Sequence, residues 1–217
     1  LAVYAYSDAE PTCANAYLWP VLLRIIESRD WPVRRGFDLG CGNGATCGLL
    51  GNLGFSMTGV DPSVSGIDQA RRAFPQMTAD VGSAYDDLPA KYGTFPLVVS
   101  LEVIEHCMDP RAFARTLMAL IEPGGVGVVS TPYHGYMKNL ALALSGRMDR
   151  HFTALWDGGH VKFFSIKTLG QLLDEVGARD VDFIRVGRIP MLAKSMVAVV
   201  HKPAGVQALI LEAGKNI

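Results

Sequence analysis

Asp38-Leu39-Gly40-Cys41-Gly42-Asn43-Gly44 is the stretch that decides the fold of this chain. Gly36 to Leu39 reads as a short buried strand that runs into it, and Ala45 to Leu53 as a helix that leaves it. The chain must turn sharply here while a ligand lies against bare backbone, and glycine permits both because it has no Cβ. Gly40-x-Gly42-x-x-Ala45 also satisfies the dinucleotide-binding pattern, so the loop alone does not choose its ligand. Three neighbouring features argue against a dinucleotide. Asp38 would repel a pyrophosphate but attract an ammonium group. Asp61 closes the next strand after Gly59-Val60, where it can accept from both hydroxyls of a ribose. Pro123-Gly124-Gly125 follows an apolar helix and precedes a further strand.

Outward from the loop, short apolar runs alternate with longer periodic segments, the pattern of a βα alternation and a parallel sheet. Pro11 to Ser28 has helical spacing, with Thr12 as cap and Pro20 at a kink. Strands are expected at 57–60, 76–79, 97–101 and 126–131, and helices from Pro62-Ser63 to Phe74 and from Pro110 to Leu120. Glu122-Pro123-Gly124-Gly125 reads as a turn. Pro132 to His160 is long for a loop and contains an apolar helix at 137–144. Ser165 caps a helix that ends before Gly177, and two antiparallel strands follow at 181–186 and 195–201. The expected fold is α/β: a Rossmann-like, doubly wound, mostly parallel seven-stranded sheet with an antiparallel final strand and an insertion after the fifth strand. Residues 1–217 are expected to form one domain. Its parts are an N-terminal helical lid (1–33), a cofactor-binding core (34–131), a substrate-side insertion (132–163) and a C-terminal helix and strands (164–203).

The 217 residues are 49% hydrophobic and 19% charged, against a usual charged fraction of about 25%. Mean hydropathy is +0.21, yet no run approaches the ~18 apolar residues of a membrane span. Asp8 and Glu10, without a basic start, do not read as a signal peptide. Cys13, Cys41, Cys47 and Cys107 form no C-x-x-C pair, which suits free thiols in a reducing cytoplasm. The formal net charge of −1 gives no basic face for a stable nucleic-acid partner. Between Lys138 and Lys167, however, five Lys or Arg stand against two Asp, with His151 and His160 besides. That excess is either a solvated surface or a mouth for an anionic substrate or membrane face.

Taken in order, Phe37 to Gly44, Gly59-Val60-Asp61-Pro62-Ser63, Val99 to His106 and Leu120 to Gly125 resemble the motifs of class I S-adenosylmethionine-dependent methyltransferases. The resemblance covers residues 34–200. It implies S-adenosyl-L-methionine as cofactor, with Gly40 and Gly42 under its methionine part and Asp61 on its ribose. Asp38, Cys41, Pro62, Ser100 and Leu101 complete the expected contacts. Gly82 to Asp86 resembles the adenine-side motif and assigns Ser83 and Ala84 there, although relatives carry an acidic residue near the position of Ser83.

Glu102, Glu105 and His106 follow the fourth strand. On a helical turn, positions i, i+3 and i+4 share a face. Two carboxylates and an imidazole there can bind Mg²⁺ or Mn²⁺, with His160 as a further ligand. Glu102 to His106 is similar to the ubiquinone-pathway catechol O-methyltransferases, whose matching residues bind a divalent ion. It also resembles the enzymes that 2′-O-methylate small-RNA 3′ ends, which add a histidine matching His160. The metal-free reading has Glu105 orient His106 as general base. Tyr133 and His134, at the carboxyl edge of the sheet, and Tyr6, in the lid, are expected to contact the substrate.

The expected activity is methyl transfer to a hydroxyl oxygen of a small phenol, catechol or sugar-like acceptor, with His106, Glu105 and His160 as catalytic residues. Transient peripheral membrane contact through the insertion is allowed, and the oligomeric state is open. The rivals are a small-RNA 2′-O-methyltransferase, a catalytically silent cofactor-binding scaffold and an NAD-dependent oxidoreductase.

Overall fold

The computed structural model describes residues 4–205. Expectations for residues 1–3 of the lid and for the tail at 206–217 lie outside the described residues.

Seven strands form one sheet: β1 (Arg35–Leu39), β2 (Ser56–Asp61), β3 (Thr78–Val81), β4 (Phe95–Leu101), β5 (Ile121–Pro132), β6 (Asp180–Val186) and β7 (Ser195–His201). Their order is β3-β2-β1-β4-β5-β7-β6. β1 to β5 pair in parallel, and β7 lies antiparallel between β5 and β6. The chain order reverses direction across the sheet at β1 and β4. The carboxyl ends of these two strands therefore open the crevice where such sheets bind ligands.

The central strands are apolar runs because both of their faces are covered. Leu97 and Val99 of β4 join a cluster with Leu18, Leu22, Leu50 and Ile67, which belong to α1 (Asn15–Glu27), α2 (Ala45–Asn52) and α3 (Val64–Ala73). Phe95 and Val98 face the other side, toward α4 (Leu88–Tyr92), α5 (Pro110–Leu120) and α8 (Ile166–Glu175). On α5, Phe113, Ala114, Leu117 and Leu120 are all fully buried, at one helical face. Burial of a Phe or Leu side chain contributes about 1.5–3 kcal/mol. Between β5 and α8 the insertion carries α6 (Tyr136–Leu144) and α7 (Met148–Phe152).

Several boundaries differ from the expectation. Thr12 does not cap α1. Ala14 holds the cap position without a side-chain bond, and the Thr12 backbone and hydroxyl both donate to Asn15 Oδ1. The helix itself packs into the core through Leu18, Val21, Leu22 and Ile26. Among the described residues, the strap before it lies over the glycine loop. Glu122 to Gly125 belongs to β5 rather than to a separate turn. β5 bulges there, pairing Phe95 with Ile121 and then Leu97 with Val126. Gly124 takes φ +79° and donates its N–H to the Lys202 carbonyl. β3 begins two residues later than expected. α4 and α7 were not foreseen, because five-residue helices are too short for periodicity to register. α8 has its Ser165 capping box, and Gly177 follows at φ +89°. Among the described residues no helix is long and apolar enough to cross a membrane.

Candidate active site

The glycine loop joins β1 to α2 at the crevice. Gly40, Gly42 and Gly44 all have positive φ, at +87°, +53° and +80°. A Cβ on Gly40 would press on Val103 at 2.6 Å, and one on Gly42 would collide with the Tyr6 phenol. Asp61, at the end of β2, braces the loop. Its Oδ2 accepts from Gly42 N at 2.9 Å and its Oδ1 from Ser63 N at 2.8 Å. A carboxylate has lone pairs for more than these two bonds. Burial raises the Asp61 pKa, and the two backbone donors oppose the rise. Asp38 lies beneath the loop, 3% exposed, and among the described residues only the Cys47 thiol donates to it, at 3.5 Å. Burial pushes its carboxyl up to about 7. A bare backbone cradle, a ribose-type acceptor and a buried carboxyl without a cation partner fit S-adenosylmethionine.

A strap from Tyr4 to Glu10 runs over this loop. Asn43 Nδ2 donates to the Asp8 and Glu10 carbonyls at 3.0 and 2.9 Å, Ser63 Oγ to the Tyr4 carbonyl, and Tyr6 N to Ser65 Oγ. Tyr6 therefore sits on the glycine loop, its ring against Gly42.

Beyond β4 the backbone turns through Glu102 at φ +58°, a conformation costly for a residue with a Cβ. Glu102 Oε1 accepts from Ser130 Oγ at 2.8 Å and its Oε2 from Ser195 Oγ at 3.1 Å. A single 3₁₀ turn then covers Ile104 to His106. The expected helical face shared by Glu102, Glu105 and His106 does not form, because Glu102 precedes this turn and points to β5 and β7. The tertiary structure instead brings Glu105, His106 and His160 together, with ligand atoms all within 4.8 Å of one another. Glu105 is fully buried, and neither of its carboxyl oxygens has a hydrogen-bond partner among the described residues. Burial first, and the neighbouring Glu102 second, hold its pKa well above the carboxylate range. His160 Nε2 lies 4.0 Å from Glu105 Oε1, and burial lowers this imidazole to about 4. His106 is oriented not by Glu105 but by the Gly158 carbonyl, 2.8 Å from its Nδ1. That contact sets Nδ1 as the protonated nitrogen and leaves the Nε2 lone pair free. Trp156 packs edge-on against His106 at 5.9 Å.

The methyltransferase domain family matches residues 17–182. The chain belongs to this family. Ubiquinone biosynthesis O-methyltransferase of Caulobacter vibrioides is 37% identical over 113 residues, which are 50% of this chain and 44% of that relative. The enzyme of the same name from Caulobacter sp. is 36% identical over 116 residues, 52% of this chain and 46% of that relative. The matched part thus spans less than half the length of these curated relatives. Among solved structures, the PH0226 protein from Pyrococcus horikoshii OT3 has the same fold, with a TM-score of 0.68 at 18% identity. The match covers 91% of this chain and 94% of that one. The resemblance to class I methyltransferases and the Rossmann-like fold read from the motifs are borne out.

Within this methyltransferase domain, Asp38, Gly40, Cys41, Gly42 and Asp61 meet around one loop, with exposed Pro62 at its rim. Ser100 is fully buried, and its hydroxyl donates to the Leu39 carbonyl at 2.5 Å. Its side chain braces β4 against β1, and Leu101 follows it at the crevice. Ser83 and Ala84 lie after β3. Asp86 Oδ2 accepts from Ser83 N at 2.7 Å. His134 lies under the insertion, but Tyr133 is not brought to it. The Tyr133 ring rests on Gly135 and on the core, with the Arg185 guanidinium 5.9 Å from its centre. Sequence reasoning missed Ser130, Ser195 and Gly158. The Gly158-Gly159 pair was the one local signal, a place where backbone comes close to a side chain.

Proposed function

We propose that this chain catalyses transfer of a methyl group from S-adenosylmethionine to a hydroxyl oxygen of a small acceptor: a phenol, a catechol or a sugar-like hydroxyl. The relatives named for ubiquinone biosynthesis favour the phenolic kinds and weigh against a small-RNA substrate. When bound, S-adenosylmethionine supplies a methyl group on a positively charged sulfur. Asp61 and the backbone of Gly40 to Gly42 hold the cofactor, and Asp38 faces its ammonium end. His106 carries the reading. With Nδ1 committed to the Gly158 carbonyl, Nε2 can take the acceptor's proton, and the positive charge it gains there is attracted by the nearby Asp61 carboxylate. Trp156 and the insertion flank the reacting groups. Free thiols at Cys13, Cys41, Cys47 and Cys107 support a reducing compartment such as the cytoplasm.

A second reading adds a divalent cation held by Glu105, His106 and His160. The orphaned Glu105 oxygens favour it. One carboxylate and two imidazoles suit Mn²⁺ better than Mg²⁺, which prefers oxygen ligands. Such an ion would act as a Lewis acid on an acceptor hydroxyl.

The test is labelled methyl transfer to a panel of phenols, catechols and sugars, with and without EDTA. His106→Ala should lower kcat by about 10²–10⁴-fold while retaining S-adenosylhomocysteine binding. Loss of activity in EDTA that Mn²⁺ restores would select the second reading. Cofactor binding without transfer to any hydroxyl would replace both with the scaffold.

A further inference from the structure

The insertion buries a lysine. Lys138 on α6 is 8% exposed, and its Nζ donates to the Lys194 carbonyl at 3.1 Å. An ammonium has three donors, and among the described residues Lys138 has no ion pair. The acidic group that acts on it is Glu102, whose oxygens already accept from Ser130 and Ser195. A buried ammonium without a counter-ion is costly unless something else satisfies it. His134 stands beside it, 7% exposed, with the Asn139 side chain as polar neighbour of its ring. The His134 ring is held between His151 at 5.4 Å, Phe152 at 5.6 Å and Phe163 at 5.1 Å. Arg188 adds a second cation to the same field.

We propose that Lys138, His134 and His151, with Arg188 behind them, form a subsite for an acidic group, carboxylate or phosphate, carried by the methyl acceptor. The inference rests on the O-methyltransferase reading and narrows its substrate class. An anion here would accept from the free donors of Lys138 and from His134, while Phe152 and Phe163 flank it with apolar surface. The mutual repulsion already present supports this. Burial first and neighbouring cations second lower Lys138 to about 8 and His134 to about 4, and the charge of an anion would oppose both shifts. The surface basic residues of the insertion, Arg147 and Arg150, are exposed and need no such partner.

The experiment compares catechol, 3,4-dihydroxybenzoate and inorganic phosphate as ligands of the folded chain. Calorimetry reads affinity, and imidazole NMR signals of His134 and His151 read location. 3,4-Dihydroxybenzoate should bind at least about tenfold tighter than catechol, the margin of one charge-assisted hydrogen bond, and should shift both histidines. Phosphate displacing it would show that the acid group alone is recognised; failure of phosphate to displace it would place the carboxylate on the acceptor ring as the recognised unit. Lys138→Met should erase the preference and Lys138→Arg retain it. Arg188→Gln, at an exposed position, should weaken it severalfold even if Lys138→Met fails to fold. Equal binding of catechol and 3,4-dihydroxybenzoate, binding of neither, or a preference unchanged in a folded Lys138→Met protein would overturn the proposal. Because affinity is measured rather than turnover, absence of methyl transfer would count against the proposed activity and leave this subsite judged by its own data.

Discussion

Replacing Asp38 with Asn probes the electrostatics beneath the glycine loop. Asp38 is fully buried, accepts only from the Cys47 thiol among the described residues, and is pushed by burial from 3.8 to about 7, with Asp61 adding to the rise. The folded chain therefore holds this proton more tightly than the unfolded chain does. The stability it contributes is complete below the unfolded pKa and is lost as pH rises through the folded value. At about 1.4 kcal/mol per pH unit the displacement corresponds to roughly 4 kcal/mol, an upper bound for a site that can relax. Asparagine has the same shape and never ionises. Urea unfolding of the cofactor-free protein from pH 5 to pH 8 should show the wild type losing about 2–3 kcal/mol relative to Asp38→Asn. Saturating S-adenosylhomocysteine, which carries the ammonium group, should shrink that difference, and its affinity for the variant should fall by about tenfold or more. Identical pH slopes in the two proteins would refute the buried-carboxyl argument. Unchanged cofactor affinity in the variant would refute the ammonium partner.

Three further outcomes are expected. Asp61→Ala removes a charge-assisted acceptor worth ~1.5–3 kcal/mol, so calorimetry should show S-adenosylmethionine binding weakened by about 10–150-fold. Gly42→Val places a branched side chain at φ +53° and against the Tyr6 phenol; cofactor binding should vanish, and the strap from Tyr4 to Glu10 should become susceptible to limited proteolysis. Phe113→Ala leaves a cavity in the α5 face, and thermal or urea unfolding should report a loss of about 3–5 kcal/mol with the far-ultraviolet spectrum unchanged.

The glycine-loop half of the candidate site was legible in the sequence because its parts are local. A turn from strand to helix that carries left-handed backbone must be made of glycine, and Gly40, Gly42 and Gly44 announce it without reference to the rest of the chain. The carboxylate that ends the next strand follows from the same βα repeat. The element order was legible for the related reason that strands covered on both faces are apolar runs and helices are periodic. The long element α5 is found at the residues expected, whereas five-residue α4 and α7 left no pattern to read.

Sequence by itself determined the sheet, the glycine cradle and the candidates Glu102, Glu105, His106 and His160. Only the tertiary structure decided how those candidates are grouped. Glu102 and Glu105 are three residues apart, yet a left-handed φ and a 3₁₀ turn send Glu102 to Ser130 and Ser195 and bury Glu105 beside His160. The orientation of His106 by Gly158, and the burial of Lys138 beside His134, likewise depend on how the insertion folds back over the sheet edge. The physical reason is that backbone conformation at a turn is dictated within a few residues. Which side chain meets which across the crevice depends on packing between segments far apart in the chain, and no local pattern records it.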